Sequence, residues 1–397
     1  MPRKVTRYCV RNTLTHPPFF TSQKPHALSH ISAYCQKIWL WLEEKRLPYR
    51  VRKVTMRCYG DKERWFSAIV PSGMLPAVEL DGKIITESDD IIAALESTFG
   101  PLPNSPPLMS PSIVSTRQME RRLFRAWCSW LCYPSRSALD ESRNAVAFAA
   151  VARETEVAIT STSGSFFLGN TLTVGDIIFA PYLERMRASL FYYKGYDLCK
   201  NHPAIAKWFA AMEQRETYAA TMSDCHTHAH DLPPQMGGCY TSNDPHANAA
   251  AKKIDQGPFD DATPDTFLVG PPSLASRLEA VSRVVRHRDN LRKVNPYANK
   301  GGFDEGLRAA LSLLVEGGAT HTKPLPPLSR GTGLSLRYIR DRVNVPRDMS
   351  IHAARALRSA LEEVAFAVDG NGVETQPPPV SLDNRRDQDP RNFEKKN

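Results

Sequence analysis

Apolar positions recur at helical spacing through residues 34–46. Cys35, Trp39 and Leu42 stand at i, i+4 and i+7 with Ile38 beside them, which predicts a helix with one buried stripe. Pro48 ends it. Alternation over "YRVRKVTM" predicts a strand, and "KERWFSAI" a short helix. "MLPAVEL" and "IIT" read as the arms of a hairpin around "DGK", since Asp-Gly is a strong hairpin turn. From Ser88, "SDDIIAALESTF" predicts a helix whose first turn carries Asp89 and Asp90, which suit the positive end of a helix dipole. Residues 1–26 read as irregular, a basic leader expected to be disordered, with "HALSHIS" as a short strand leading into the first helix.

"GPLPNSPP", 100–107, reads as a rigid linker. Long helical patterns follow at 112–133 and 137–160, from "TVGDIIFAPYLERMRASLFYY", and over "HPAIAKWFAAMEQRETY". No strand pattern interrupts them, so 108–222 is expected to be a second, all-helical domain. Residues 240–273, rich in Asn, Asp, Pro, Gly and Ala, read as a linker. Helical periodicity returns at 274–294, 303–317 and 350–368, giving a helical extension over 274–370 and a polar, disordered tail over 371–397. The β-α-β-α-β-β-α order of 27–100 is the thioredoxin-like one. The predicted class is α+β: a thioredoxin-like domain, an all-helical domain, then the extension.

Composition narrows the partners. With 397 residues and 42% apolar content the chain can bury a sizeable core, and no run approaches a membrane span. A net charge of +9 favours anionic ligands. The basic residues are interleaved with acidic ones, however. The most basic helical stretch, "RVVRHRDNLRK", keeps the apolar face of a packed helix, so nucleic acid is not expected. Eight scattered cysteines without a CxxC pair fit a reducing compartment. Residues 1–42 hold no Asp or Glu. This is the composition of an organelle transit peptide, but no amphipathic pattern supports it and no apolar signal segment is present. A cytoplasmic location is expected, with a plastid or mitochondrion as the alternative.

Five motifs occur in a fixed order: "SAYCQKIWLWLEEKRLPY", "PSGMLPAVEL", "ESDDI", "TVGD" and "NHPAIAKWFAAMEQRETY". Together they make residues 27–222 resemble a cytosolic-type glutathione S-transferase. Ser32 stands where members carry Ser, Tyr or Cys. The resemblance implies that Pro76 is cis, and that Leu75 offers its backbone to the cysteinyl part of glutathione. Glu87 and Ser88 would hold the γ-glutamyl end, and Arg57 is nominated for the glycyl carboxylate. Thr173 and Asp176 form a capping box with a folding role.

The chemistry implied is thiol activation. A thiol with a pKa near 8.5 is mostly protonated at neutral pH. A hydroxyl donating to sulfur and a helix N-terminus both favour the thiolate. Ser32 offers the first at the head of the helix that offers the second. The expected reaction is conjugation of glutathione to an apolar electrophile. Trp127, Trp130 and Tyr133 are candidates for the apolar wall. No cofactor is implied beyond glutathione as co-substrate, and a homodimer is the family's usual assembly. The rival catalytic group is Cys35, because members with Cys at the Ser32 site act as thiol-disulfide oxidoreductases. Helical phase sends Cys35 inward. A non-catalytic scaffold for protein partners is the other alternative. "CHTHAHD", 225–231, alternates too tightly for a structural zinc site, so no metal is expected and the segment reads as a polar stretch after the last core helix.

Overall fold

The computed structural model describes residues 5–10, 32–242, 244–257, 272–317, 327–378 and 386–389. In the first domain the order is β1 (Val5–Val10), α1 (Ala33–Glu44), β2 (Arg50–Val54), α2 (Arg64–Ile69), β3 (Ala77–Leu80), β4 (Lys83–Thr86) and α3 (Ser88–Phe99). The sheet runs β2-β1-β3-β4. β1 lies parallel to β2 and antiparallel to β3, and β3 pairs with β4 across the Asp81-Gly82 turn. The expected hairpin and helices are therefore present. One expectation is corrected: the leader contributes β1, an inner strand of the sheet. "VTRYCV" is β-branched and aromatic enough to pair, and the basic leader around it hid that. The strand expected at "HALSHIS" falls on residues outside the described ones up to Ile31.

Helices follow without a break: α4 (Pro111–Leu131), α5 (Ala138–Thr160), α6 (Val174–Lys194), α7 (Leu198–Asn201), α8 (Pro203–Glu213) and α9 (Glu216–Ala219). Helix α6 is the axis of the molecule. Nearly all its residues are buried, and α1 and α4 both pack on it. Its capping box forms as expected. Asp176 accepts from Thr173 N (2.9 Å), Thr173 Oγ1 (2.9 Å), Phe167 N (3.0 Å) and Trp208 Nε1 (2.8 Å). Burial pushes the Asp176 carboxyl up, and these four donors oppose that.

Beyond residue 222 the structure departs from expectation. "CHTHAHD" is no solvated stretch but the start of a buried helix, α10 (Cys225–Met236), packed on α6. Its polar residues are tolerated inside because they meet partners. The stretch expected to link from 240 instead opens with α11 (Pro245–Gln256). Asp244 caps it, accepting from the backbone N–H of His246 and Ala247, and Pro245 opens its first turn. Ala247, Ala250 and Ile254 form its buried stripe. Alanine reads as linker composition, yet it is the strongest helix former. Gly195, in the left-handed region at φ 62°, ends α6 just under α11; a Cβ there would lie 2.7 Å from Ala247 N.

The extension is helical as expected: α12 (Leu274–Val294), α13 (Phe303–Glu316), α14 (Thr332–Arg340) and α15 (Ile351–Asp369). Helix α14 was not foreseen. Helices α12, α13 and α14 all pack on α15. The bundle grips α10 through Val345 N, which donates to Thr227 Oγ1 at 3.0 Å, and through a buried ion pair between Arg358 and Asp224. Part of the tail is ordered as well: Gln388 and Asp389 are buried, and Arg386 pairs with Asp61 of the first domain at 3.1 Å. Among the described residues no helix is long and apolar enough to cross a membrane.

A single carboxylate joins these parts. Glu184, buried in the middle of α6, accepts from Gln36 Nε2 (2.9 Å) on α1, Tyr218 Oη (3.0 Å) on α9, Ser223 N (2.7 Å) and His228 Nε2 (2.6 Å) on α10. Burial alone would raise its pKa. The donors, with His228 foremost and Arg185 beside it, hold it below the usual carboxylate range. Burial and the Arg185 charge push the His228 pKa down, so the imidazole that faces the Glu184 carboxylate gives up its charge more readily than a free one.

Two outcomes follow from these buried groups. Asp176→Ala strands four buried donors and should lower unfolding free energy in urea by ~3 kcal/mol, with Asp176→Asn milder because it keeps an acceptor oxygen. The pH dependence has a definite sign. A buried neutral His228 stabilises above its unfolded pKa of about 6.5, and that contribution is lost as pH falls toward its lower folded value. Glu184 behaves alike lower down, stabilising above an unfolded pKa of about 4.3 and losing this as pH falls. Urea midpoints should drop from about pH 6.5 downward, and His228→Gln should flatten the upper part of that decline.

Candidate active site

The first turn of α1 and the first turn of α3 face α4 and α6 across a cleft of about 450 Å³. Tyr34 and Lys37 come from α1, and Glu87, Ser88 and Asp89 from the start of α3. Arg117, Glu120 and Arg121 come from α4, and Tyr182 from α6. Two helix N-termini thus border one space, and exposed N–H groups there favour anions.

Ser32 is the N-cap of α1, with extended backbone (φ −76°, ψ 125°), and its side chain makes no capping hydrogen bond. Cys35 lies one turn inward at 1% exposure, as helical phase requires. The Leu75–Pro76 bond is cis, as the resemblance implied. Leu75 packs on the small cluster of Val54, Phe66, Val70 and Ala77.

Glu87 is held in the left-handed region at φ 61°, ψ 121°. A non-glycine residue there stores strain of order 1–3 kcal/mol, and such residues gather at binding sites. Ser88 follows as the first residue of α3, buried and lining the cleft. The next residue, Asp89, ties the cleft together: it pairs with Lys37 of α1 and Arg117 of α4. Burial pushes Asp89 up, but the two cations more than offset this and leave it below the usual range. Lys37 is pulled down by its burial.

The far wall differs from the expected one. Trp127 and Trp130 are core residues whose indole N–H groups donate to Ser189 Oγ (3.0 Å) and Glu141 Oε1 (2.7 Å), and Tyr133 is exposed away from the cleft lining. The wall is instead Tyr34 edge-on to Tyr182, with centroids 5.8 Å apart, and the Arg121 guanidinium 4.9 Å from the Tyr182 ring centroid. Arg121 also pairs with Glu120. Burial raises the Glu120 carboxyl even so, which gives the cleft a carboxyl group more easily protonated than usual.

Arg57 is exposed and does not line the cleft. Lys62, half-buried, instead lies beside Gly73 in the loop before Pro76, and its Nζ donates to Thr55 O at 3.2 Å. Sequence reasoning passed over it because "DKER" reads as a solvated helix start. Outside the cleft, His226 and His230 on α10 and Asp255 on α11 bring three ligand-type atoms within 4.8 Å of one another. The tight alternation of "HTHAH" concealed this grouping, because the third member is distant in sequence.

Comparison with known proteins agrees with this layout. Residues 31–98 match the glutathione S-transferase N-terminal domain, and residues 122–221 the glutathione S-transferase C-terminal domain. The chain is 30% identical over 188 residues to glutathione S-transferase DHAR2 of Arabidopsis thaliana, covering 47% of this chain and 82% of that one. It is 26% identical over 212 residues to glutathione S-transferase L3 of the same plant, covering 52% and 86%. The solved structure of glutathione transferase Omega 3C from Trametes versicolor aligns over 56% of this chain and 91% of that one, at 22% identity and a TM-score of 0.44. With its thioredoxin-like first domain, its helical second domain and a cleft edged by two helix N-termini, the chain belongs to the glutathione S-transferase family.

Proposed function

We propose that the protein is a glutathione transferase in which Ser32 activates the glutathione thiol. The observation that carries this reading is the state of Ser32: it caps α1 in an extended conformation without using its hydroxyl for capping, while Cys35 is buried. A hydroxyl at that place can donate to a sulfur set at the helix mouth, and the α1 dipole favours the thiolate further.

The tripeptide fits around that point. The γ-glutamyl carboxylate would meet the Ser88 hydroxyl and N–H at the start of α3, with Glu87 answering the ammonium. The backbone of Leu75, before cis Pro76, would pair with the cysteinyl part. Lys62 is a better partner for the glycyl carboxylate than Arg57, since its side chain lies beside Gly73 in the loop that leads to cis Pro76. The electrophile would occupy the cleft between α3 and α4. Three cations and three carboxylates line it, so an electrophile carrying polar groups beside its apolar part suits it better than a purely apolar one. Curated relatives from Oryza sativa include one named as cytosolic and one as chloroplastic, which supports the cytosol or a plastid as the place of work.

A second reading has its own support. Arg185 donates to Oε1 of the neighbouring Gln36 at 2.8 Å, which sets a cation close to the Cys35 position, and thiol reduction through Cys35 would follow if solvent reached it. One pair of variants separates the readings. Ser32→Ala should lower kcat/KM for conjugation by about 100-fold, the usual cost of removing one activating donor, with Cys35→Ala within about twofold of wild type. The reverse pattern establishes the Cys35 reading, and protein that neither binds glutathione-agarose nor conjugates a standard electrophile establishes a scaffold. Ser32→Cys should gain thiol-disulfide exchange: supplied with a mixed disulfide of glutathione, the new thiolate takes up the glutathionyl group and frees the other thiol, and a second glutathione restores the enzyme thiol with release of oxidised glutathione, the species measured.

A further inference from the structure

We propose that His226, His230 and Asp255 form a binding site for one divalent transition-metal ion of the zinc type, which joins α10 to α11. The site lies apart from the cleft, on the far portion of α6. His226 and His230 stand at i and i+4, the spacing that puts two side chains on one helix face. Their ring centroids are 4.7 Å apart. Asp255 reaches them from the last turn of α11, and one ligand atom from each of the three lies within 4.8 Å of the others. Ligands on a tetrahedral zinc sit roughly 3.3 Å from one another, each about 2 Å from the metal, so side-chain adjustments of about 1 Å complete the geometry.

The donor set is chemically selective. Two imidazoles and a carboxylate suit borderline ions such as zinc or cobalt, not magnesium or calcium, which take oxygen ligands. The carboxylate is already oriented. Tyr192 Oη donates to Asp255 Oδ2 at 2.8 Å, leaving Oδ1 turned to His230 Nε2 at 2.7 Å. A hydroxyl that fixes a ligating carboxylate in this way is a recurrent outer partner of metal sites. Both histidines are buried, whereas the Asp255 side chain is one-third exposed, which leaves a path for the ion. On binding, the metal takes the place of the proton between His230 Nε2 and Asp255 Oδ1, and the ring stays a neutral imidazole with its proton on Nδ1. Three protein ligands leave a fourth position for water.

The test uses the full chain, stripped with a chelator and titrated with Zn²⁺ by calorimetry and with Co²⁺ by visible absorption. One ion per chain is expected, with cobalt d–d bands and no thiolate charge-transfer band, and with a higher Tm when zinc is present. His226→Ala and Asp255→Asn should weaken binding by at least about 10-fold, and Tyr192→Phe, which keeps the ring, by about 10-fold. Cys128→Ala with Cys132→Ala should leave it unchanged. Less than one ion per chain at micromolar zinc, a thiolate band, or unchanged affinity in Tyr192→Phe and in the folded ligand variants overturns the proposal. Circular dichroism establishes which variants are folded, and Tyr192→Phe keeps the test decisive if the ligand variants are not.

Discussion

The structure depends on the Glu184 carboxylate. It sits in the centre of the most buried helix, where an unpartnered charge would cost several kcal/mol. Its four donors come from α1, from α9, from the turn after α9 and from α10. Arg185 beside it donates to Gln36 Oε1 at 2.8 Å and to Pro181 O at 2.7 Å. Gln36 is therefore held from both ends, by a carboxylate and a guanidinium. This fixes the rotation of α1 about its axis. With that rotation set, Cys35 is committed to the interior and Ser32 to the helix mouth, while Tyr182, two residues before Glu184, faces Tyr34 across the cleft. The position of the candidate nucleophile-activating group thus rests on a charge pair buried behind it.

Much of this was legible because it is local. The stripe of α1, the Asp-Gly hairpin, the acidic start of α3 and the Thr173–Asp176 box are each decided by residues within a few positions of one another. What was not legible depends on distant partners. The histidines of α10 look solvated in sequence; they are buried because Glu184 and Asp255 meet them from 44 and 25 positions away. The expected aromatic wall failed for a similar reason. Trp127 and Trp130 have the right phase on α4, but Ser189 and Glu141 satisfy their N–H groups in the core. Strand β1 was hidden by the basic leader that surrounds it, and α11 by an alanine-rich composition whose helical face shows only once α6 lies against it.

The cleft has a consistent electrostatic plan. Asp89 bridges α1 and α4 through Lys37 and Arg117, and Glu120 with Arg121 repeats the pairing on the other side of the space. The Asp89 pairs hold α1 and α3 against α4 while leaving Ser88 and the strained Glu87 at the opening, whereas Glu120 and Arg121 pair within α4 itself. Such charge pairs contribute little where they are solvated and more where they are shielded. Lys37 is nearly fully buried, so its link to Asp89 belongs to the second kind.

The Arg358–Asp224 pair gives the extension a different standing from an appended module. Asp224 is the N-cap of α10 and Arg358 lies in α15; each is about 1% exposed, and Arg358 also donates to Val343 O at 2.6 Å. Peeling the bundle away would leave two opposite charges in an apolar setting, with the first turn of α10 bereft of its cap's counter-ion. The last helices and the family's core are therefore one cooperative unit in melting. A chain trimmed to the two domains matched by the family would be a wounded protein, not a minimal one.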